Sequence, residues 1–296
     1  MPKLLILDGN SVLHRAYYAL PDWRNRAGEA TAGVYGFLSI LIKSIDDLKP
    51  THVAVVFDHP TPTFRHSLYV GYQSNREKER QISEDIWGQI EKLKIVLEKL
   101  ELPVYQLSGF EADDLIGTIS KKVKCQVIII TGDRDLMQLV NKRVNLYMSF
   151  KGFSDMTLVD VKKVQERLGI GPDQVIDYKA LVGDSSDNYP GVTGIGPKTA
   201  IQLLEEFKSF ANIYKNLNKI KESTRKKLVE GYDGGELSKK LATIRLDAPV
   251  SFVLSDCKVP DKEKILEVFK ELGYKSLVRR VDESQVDKVN QVGLFD

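Results

Sequence analysis

Nine carboxylates in this chain occupy positions that ordinary solvated charge explains poorly: Asp8, Asp58, Glu111, Asp113, Asp114, Asp133, Asp135, Asp184 and Asp187. Several follow apolar runs that read as core strands, KLLILD, VAVVFD and VIIITGDRD. A carboxylate beside a core strand is costly unless something pairs with it. Several converging from separate strands repel one another unless cations lie between them. Oxygen donors alone suit a hard divalent ion, Mg²⁺ or Mn²⁺.

Spacing supports that reading. Glu111 and Asp114 lie three apart on one helix face with Asp113 beside them, and Asp184 and Asp187 repeat the interval. Asp133 and Asp135 can project from one turn. Such pairs can bridge two ions, and two ions about 3.5–4 Å apart can clamp the attacking and leaving oxygens of an in-line phosphoryl displacement. No serine, cysteine or histidine nucleophile is needed. His14, His52, His59 and His66 show no metal-ligand spacing.

Each acid also has a plainer reading. Asp8 can cap a helix, and Glu111 can close a capping box from Ser108. Asp133 and Asp135 can form a turn and a cap, and Asp184 and Asp187 can cap Asn188-Tyr189-Pro190. One such reading is credible alone; four holding together in one chain are not.

The elements that must position these groups alternate over the first half. Strands are expected at 3–7, 52–57, 103–106 and 126–130, and helices at 34–48, 86–100, 111–123 and 135–140. That alternation predicts an α/β fold with a parallel sheet covered on both faces. Ligands bind such sheets beyond the carboxyl ends of the strands. Asp8, Asp58 and Asp133 follow strands there and can converge.

Residues 59–83 break the pattern, being polar, aromatic and charged. Loops of that length are commonly functional. Arg65, Arg76, Lys78 and Arg80 interleave with Phe64, Tyr69 and Tyr72, a composition able to grip nucleic acid by phosphate contact and stacking. From residue 157 the chain turns helical. Thr157 and Asp160 fit a capping box opening a helix over 161–168, and another helix covers 174–181. The run from Gly191 to Ala200 is a glycine-rich turn entering a helix, with Pro197 in the first turn. Gly194 and Gly196 permit close backbone approach, and Lys198 and Thr199 follow. Free N–H groups at such a helix start can hold a phosphate. This resembles the helix-hairpin-helix element that holds DNA backbones without reading sequence. Residues 196–240 carry ten Lys/Arg against six Asp/Glu, which favours backbone contact.

The 296 residues allow one large domain or two modest ones, and the formal charge is +2. With the nine acids set aside, 32 acidic residues face 43 basic ones, an excess of +11. An acidic pit in a basic surface suits a polyanion held over metal ions. Two cysteines, Cys125 and Cys257, are too few for a disulfide framework or zinc cluster. The start reads as a strand rather than a signal peptide, and no apolar stretch is long enough to cross a membrane. A cytoplasmic monomer is expected.

The set LLILDGNSVLHRAYYAL, VAVVFD, FRHSLYVGYQSNR, GFEADDLIGT, TGDRDLMQLV and LVGDSSDNYPGVTGIGPKTA resembles the bacterial 5′→3′ exonucleases and flap endonucleases, over residues 3–280 and in the right order. The family includes the N-terminal domain of DNA polymerase I and free-standing relatives. The resemblance implies a PIN-like nuclease core over 1–156 with a helical arch at 59–100. It implies a helix-three-turn-helix DNA-binding region over 157–280, with its hairpin at 184–207. It implies Mg²⁺, or Mn²⁺ in its place, held by all nine acids, with Arg76 beside them, and a monovalent cation at the hairpin. Its substrates would be DNA with 5′ flaps, nicks or ends, and RNA primers on DNA. The competing reading is a junction-binding protein that has lost catalysis.

One departure matters. The family pattern in the arch is G-Y-K-x-x-R, and here it reads Gly71-Tyr72-Gln73-Ser74-Asn75-Arg76. Gln73 can hydrogen-bond a phosphate but lacks charge, so a slower nuclease is expected. The polar segment 281–296 ends in Gln291-Val-Gly-Leu-Phe-Asp296. It is similar to the Q-x-x-L-F peptide that bacterial replication proteins insert into the sliding clamp. Leu294 and Phe295 would fill an apolar pocket, with Gln291 at its rim. That ending leans toward a free-standing protein.

Overall fold

In the computed structural model, residues 2–24, 28, 30–74, 80–150 and 155–283 are described, with 80–84 as helix backbone alone. Six strands form one sheet in the order β3-β2-β1-β4-β5-β6. They are β1 (Lys3–Asp8), β2 (His52–Val56), β3 (Val104–Tyr105), β4 (Gln126–Ile130), β5 (Val144–Ser149) and β6 (Met156–Val159). The first five run parallel; β6 pairs antiparallel with β5. The expected all-parallel sheet is thus a mixed one, closed at one edge by a hairpin-like pair. Only six residues separate β5 from β6, too few for the crossover that parallel pairing requires, so the second strand returns antiparallel.

Strand periodicity divides the core. Leu4, Ile6, Ala54, Val56, Val127 and Ile129 point to one face, and Leu5, Leu7, Val53, Val55, Ile128 and Ile130 to the other. The second face is covered by α1 (Gly9–Ala19), α2 (Ala32–Leu48) and α4 (Arg80–Lys99). Ile86, Ile90, Leu93 and Leu97 of α4 are buried there. The expected arch at 59–100 therefore divides: from Ile86 onward it is core. Its earlier part contains α3 (Phe64–Leu68). The helices α12 (Lys262–Glu271) and α13 (Lys275–Glu283) lie on the same face.

The first face takes α5 (Ala112–Lys122) and much of the helical second half: α6 (Val161–Leu168), α7 (Val175–Val182), α8 (Pro197–Phe207), α9 (Phe210–Lys215) and α10 (Glu222–Glu230). The helix α11 (Tyr232–Ala242) packs on α7, with Leu241 and Ala242 in a separate small cluster with Tyr72 and Tyr189. Asp160 caps α6 by accepting from the Lys163 N–H at 2.8 Å. Thr157 lies in β6, so the expected capping box does not form. Pro197 takes the first position of α8 with Gly196 as its cap. The ion pair Lys239–Asp177, 2.8 Å, ties α11 to α7.

A second tie runs from the α3 region into the helical half. Arg65 is 2% exposed and uses its whole guanidinium. It pairs bidentately with Asp114 at 2.8 and 2.9 Å. It also donates to the carbonyls of Leu241 at 2.8 Å and Thr243 at 3.0 Å. Removing one partner of a buried pair leaves an uncompensated charge, at a cost of about 3–5 kcal/mol. Arg65→Met is expected to lower unfolding free energy by about that much, as read from urea denaturation in chelator.

Candidate metal centre

Two helix N-termini aim at the ends of the central strands. Asp8, the last residue of β1, is 3% exposed and caps α1 by accepting from the Ser11 N–H at 3.1 Å. Its other oxygen accepts from the Thr131 hydroxyl at 2.7 Å. Gly9 must follow, because a Cβ there would meet the Phe57 ring at 2.4 Å. Asp58 accepts from the Ala112 N–H at 2.7 Å, at the start of α5, and its own N–H donates to the Asn10 side chain at 2.8 Å. Glu111 is the cap residue of α5, and Asp113 and Asp114 occupy its first turn. The positive end of a helix dipole favours acids at these places. Ser108 instead bonds Thr61 at 2.9 Å, so the plain capping-box reading fails; Asp114 closes back onto the Glu111 N–H at 3.1 Å.

The acids separate by environment. Burial pushes the Asp8 carboxyl up to about 7 against the hydrogen bonds from Thr131 and Ser11, and Asp58 and Asp133 add repulsion. Burial also lifts Glu111 to about 7, with Arg65 opposing and Asp58, Asp114 and Asp187 assisting. Asp113 lies well above the carboxylate range through burial and the charges of Asp133, Asp8, Glu111 and Asp58. These residues form one mutually repelling group with no ion pair on Asp8, Asp113 or Asp133 among the described residues.

A second group gathers Asp135, Asp184 and Asp187, each with a carboxylate oxygen within 4.8 Å of the others. Asp133 links the groups in sequence: its side chain accepts from the Asp135 N–H at 2.8 Å. The turn carrying Asp184 and Asp187 is held by two glycines at positive φ. A Cβ on Gly183 would meet the Tyr189 carbonyl at 2.5 Å, and one on Gly191 the Gly183 nitrogen at 2.3 Å. Asp184 accepts from the Ser186 N–H at 2.7 Å and the Asp187 N–H at 3.2 Å, so its local capping role is real as well.

Lys179, on α7, stands within this second group. Its ammonium pairs with Asp135 Oδ1 at 2.5 Å and with Asp184 Oδ2. Burial works against its charge, but the two carboxylates outweigh burial and raise it above the ordinary lysine value. Asp135 still rises to about 7, through burial and Asp133, with Lys179 opposing. Burial would raise Asp184 too, yet bonds from Lys179 and Ser186 bring it down to about 2. Sequence reasoning missed this lysine; its signal was a lone charge among Tyr178, Ala180, Leu181 and Val182. Thr131 and Asn10, which hold Asp8 and Asp58, were missed for lack of any pattern.

Three expectations need correction. Asp114 is 0% exposed, and its carboxylate accepts four hydrogen bonds, from both Arg65 Nη atoms, the Glu111 N–H and the Arg245 N–H. It is a buried structural anion with no free lone pair facing the other acids. Arg65 is its partner rather than a phosphate contact. Tyr72 is 4% exposed, so its ring is no stacking platform; its hydroxyl lies 3.3 Å from Glu111 Oε2 and 3.5 Å from Asp187 Oδ2, bridging the two groups.

Gln73 faces the second group. It takes φ 54° and donates from its side chain to Asp187 Oδ1 at 3.3 Å and from its backbone to the Asp187 carbonyl at 3.0 Å. Asn188 pins the same segment through Gly71 O and Ser74 Oγ, both at 2.8 Å. Arg76 and Lys78 lie outside the described residues, as do the Arg80 side chain and Gln291, Leu294 and Phe295. At the hairpin, Gly194 (φ 81°), Gly196 and Lys198 are exposed, Thr199 is half-buried, and Lys227 donates to the Gly194 carbonyl at 3.1 Å. No helix among the described residues is long and apolar enough to cross a membrane.

The carboxylate-lined centre thus lies at the carboxyl ends of the sheet, beside the helical second half, an arrangement shared with nucleases of the 5′-3′ exonuclease class. Family models match on both sides: "5′-3′ exonuclease, N-terminal resolvase-like domain" over residues 3–169, and "5′-3′ exonuclease, C-terminal SAM fold" over 170–264. The chain belongs to the 5′-3′ exonuclease family. It is 41% identical to DNA polymerase I of Caldicellulosiruptor bescii over 292 residues, covering 96% of this chain and 34% of that protein. It is 37% identical to the Bacillus subtilis DNA polymerase I, covering 99% and 34%. The chain thus spans about a third of the length of the curated relatives it matches. Its fold is shared with T5 5′-exonuclease solved with divalent metal ions (zinc) bound (TM-score 0.68, 20% identity, 96% of this chain and 98% of that one). It is also shared with the catalytic core of Rad2 solved with DNA substrate (TM-score 0.57, 19% identity, 91% and 88%).

The raised acids set a pH dependence. Asp8, Glu111 and Asp135 titrate near 7 when folded against ordinary values of 3.8, 4.5 and 3.8. The folded state then binds more protons than the unfolded one between those limits, so stability present at low pH is lost as pH rises through 7. Asp184 runs the other way but only below its ordinary 3.8. In chelator the melting temperature should fall from about pH 5 to about pH 8. Saturating Mg²⁺ should remove that fall, as followed by thermal unfolding at each pH.

Proposed function

We propose that this chain is a structure-specific 5′ nuclease that hydrolyses phosphodiesters of DNA, and of primer RNA, next to single-strand/double-strand junctions in replication and repair. The observation that carries the proposal is the pair of carboxylate groups: one repels itself with no ion pair on Asp8, Asp113 or Asp133 among the described residues, and the other has two of its acids paired with Lys179. Their donors are all oxygen, which fits Mg²⁺ or Mn²⁺. Asp8, Asp58, Glu111, Asp113 and Asp133 would hold the first ion, and Asp135, Asp184 and Asp187 the second. Bound there, the ions would supply the Lewis acidity that activates water and stabilises the leaving oxygen.

The chain's own residues do the rest. Tyr72 and Gln73 set the spacing between the α3 segment and Asp187. Arg76, Lys78 and Arg80 would meet the 5′ strand. Gly194, Gly196, Lys198 and Thr199 would hold the duplex backbone at the start of α8, where free N–H groups favour phosphate, with a monovalent cation as a further partner of the turn. The Gln291, Leu294 and Phe295 peptide would dock on a sliding clamp. The setting proposed is the bacterial cytoplasm, with the protein acting as a monomer.

A labelled 5′-flap duplex with Mg²⁺ tests the assignment. Asp187→Asn should cut about 10–100-fold more slowly in single turnover while binding the junction as before. Equal rates would overturn the second ion's assignment, and a wild-type chain that binds junctions without cutting would return the binding-protein reading. Gln73→Lys should raise the single-turnover rate by placing a charge beside Asp187; no change, or a fall, would sink that role for position 73.

A further inference from the structure

We propose that Lys179 is a built-in counter-cation of the second carboxylate group, which a divalent ion must displace in order to bind. The inference rests on the metal-centre reading above and adds a residue to it. Asp135, Asp184 and Asp187 bring three carboxylates within 4.8 Å, and two of them pair with the Lys179 ammonium. Asp187 accepts from the Gln73 amide at 3.3 Å and lies 3.5 Å from the Tyr72 hydroxyl. In the first group Glu111 pairs with the Arg65 guanidinium at 3.2 Å, while Asp8, Asp113 and Asp133 meet no basic side chain among the described residues. The two groups therefore differ in that the second holds a cation shared between two of its acids.

Geometry makes the two cations exclusive. A Mg²⁺-sized ion binds carboxylate oxygens at about 2.0–2.1 Å. The ammonium already stands 2.5 Å from Asp135 Oδ1 and bonds Asp184 Oδ2. An ion using those same oxygens would sit against it, with like charges in contact. The lysine must withdraw, and its flexible four-carbon stem permits that without moving α7. The benefit is a group that stays assembled without an ion, since the ammonium offsets repulsion that would otherwise splay the turn. The consequence is weaker ion binding at the second group than at the first.

Mn²⁺ titration of the full chain without DNA, counting free ion by electron paramagnetic resonance, reads this without any activity. The wild type should show a tighter and a weaker class of sites. Lys179→Met should tighten the weaker class by about tenfold, the scale of a typical coupling between two ligands. It should also lower the melting temperature in chelator and enlarge its rise on adding Mn²⁺. Lys179→Arg should behave as wild type. A weaker class that is unchanged or loosened in folded Lys179→Met overturns the inference.

Should Lys179→Met fail to fold, the wild type still decides. Lys179 labelling by an amine-acylating reagent, read by mass spectrometry, should rise as Mn²⁺ fills the weaker class, and flat labelling overturns the inference. A wild type that binds no Mn²⁺ at all overturns the metal-centre reading itself. Mn²⁺ binding with no response at Lys179 removes this inference alone.

Discussion

Mutual repulsion among buried carboxylates governs this molecule. Six parallel-biased strands and two helix N-termini deliver acids to one edge of the sheet, where burial and neighbouring charge push several of them up to about 7. Nothing in a hydrophobic core tolerates that density of negative charge without protons or cations. The surrounding devices respond to it: helix dipoles at Asp8 and at the start of α5, hydroxyl donors such as Thr131, and the ammonium of Lys179.

Six of the nine acids show three ways of meeting that constraint. Asp114 leaves the problem altogether, because Arg65 and two backbone N–H groups consume its oxygens. It thereby fastens α3 and α5 to the chain at 241–245. Asp135 and Asp184 share a lysine. Asp8, Asp113 and Asp133 find no basic partner among the described residues and so define the part of the centre with the greatest demand for ions. A single sequence motif, Glu111-Ala112-Asp113-Asp114, supplies a cap residue, a member of the repelling group and a structural anion within one helical turn.

Much of this was legible from the chain. Apolar runs ending in Asp located β1, β2 and β4 to within a residue or two, and placed Asp8, Asp58 and Asp133 at the same sheet edge. The glycine-rich run placed the cap and first proline of α8. β5, β6 and α3 escaped, as did the extent of α1 beyond its cap at Asp8: β6 and α3 are only four and five residues long, and β5 lacks the unbroken apolar run that marks β1, β2 and β4. Arg65 and Tyr72 read as surface groups because their neighbours in sequence are polar; burial came from contacts 176 and 115 residues away.

The sequence by itself determined the kinds of chemistry available: oxygen donors in pairs, a glycine turn into a helix, and an uncharged Gln73 where the family pattern has lysine. These are local properties, set by residue type and spacing. Only the tertiary structure decided which acid is free to hold an ion, which is already paired, and which cation stands nearby. Desolvation and Coulomb interaction depend on what packs around a group, and those neighbours come from distant segments. The nine acids are alike in sequence, and the fold makes them unlike.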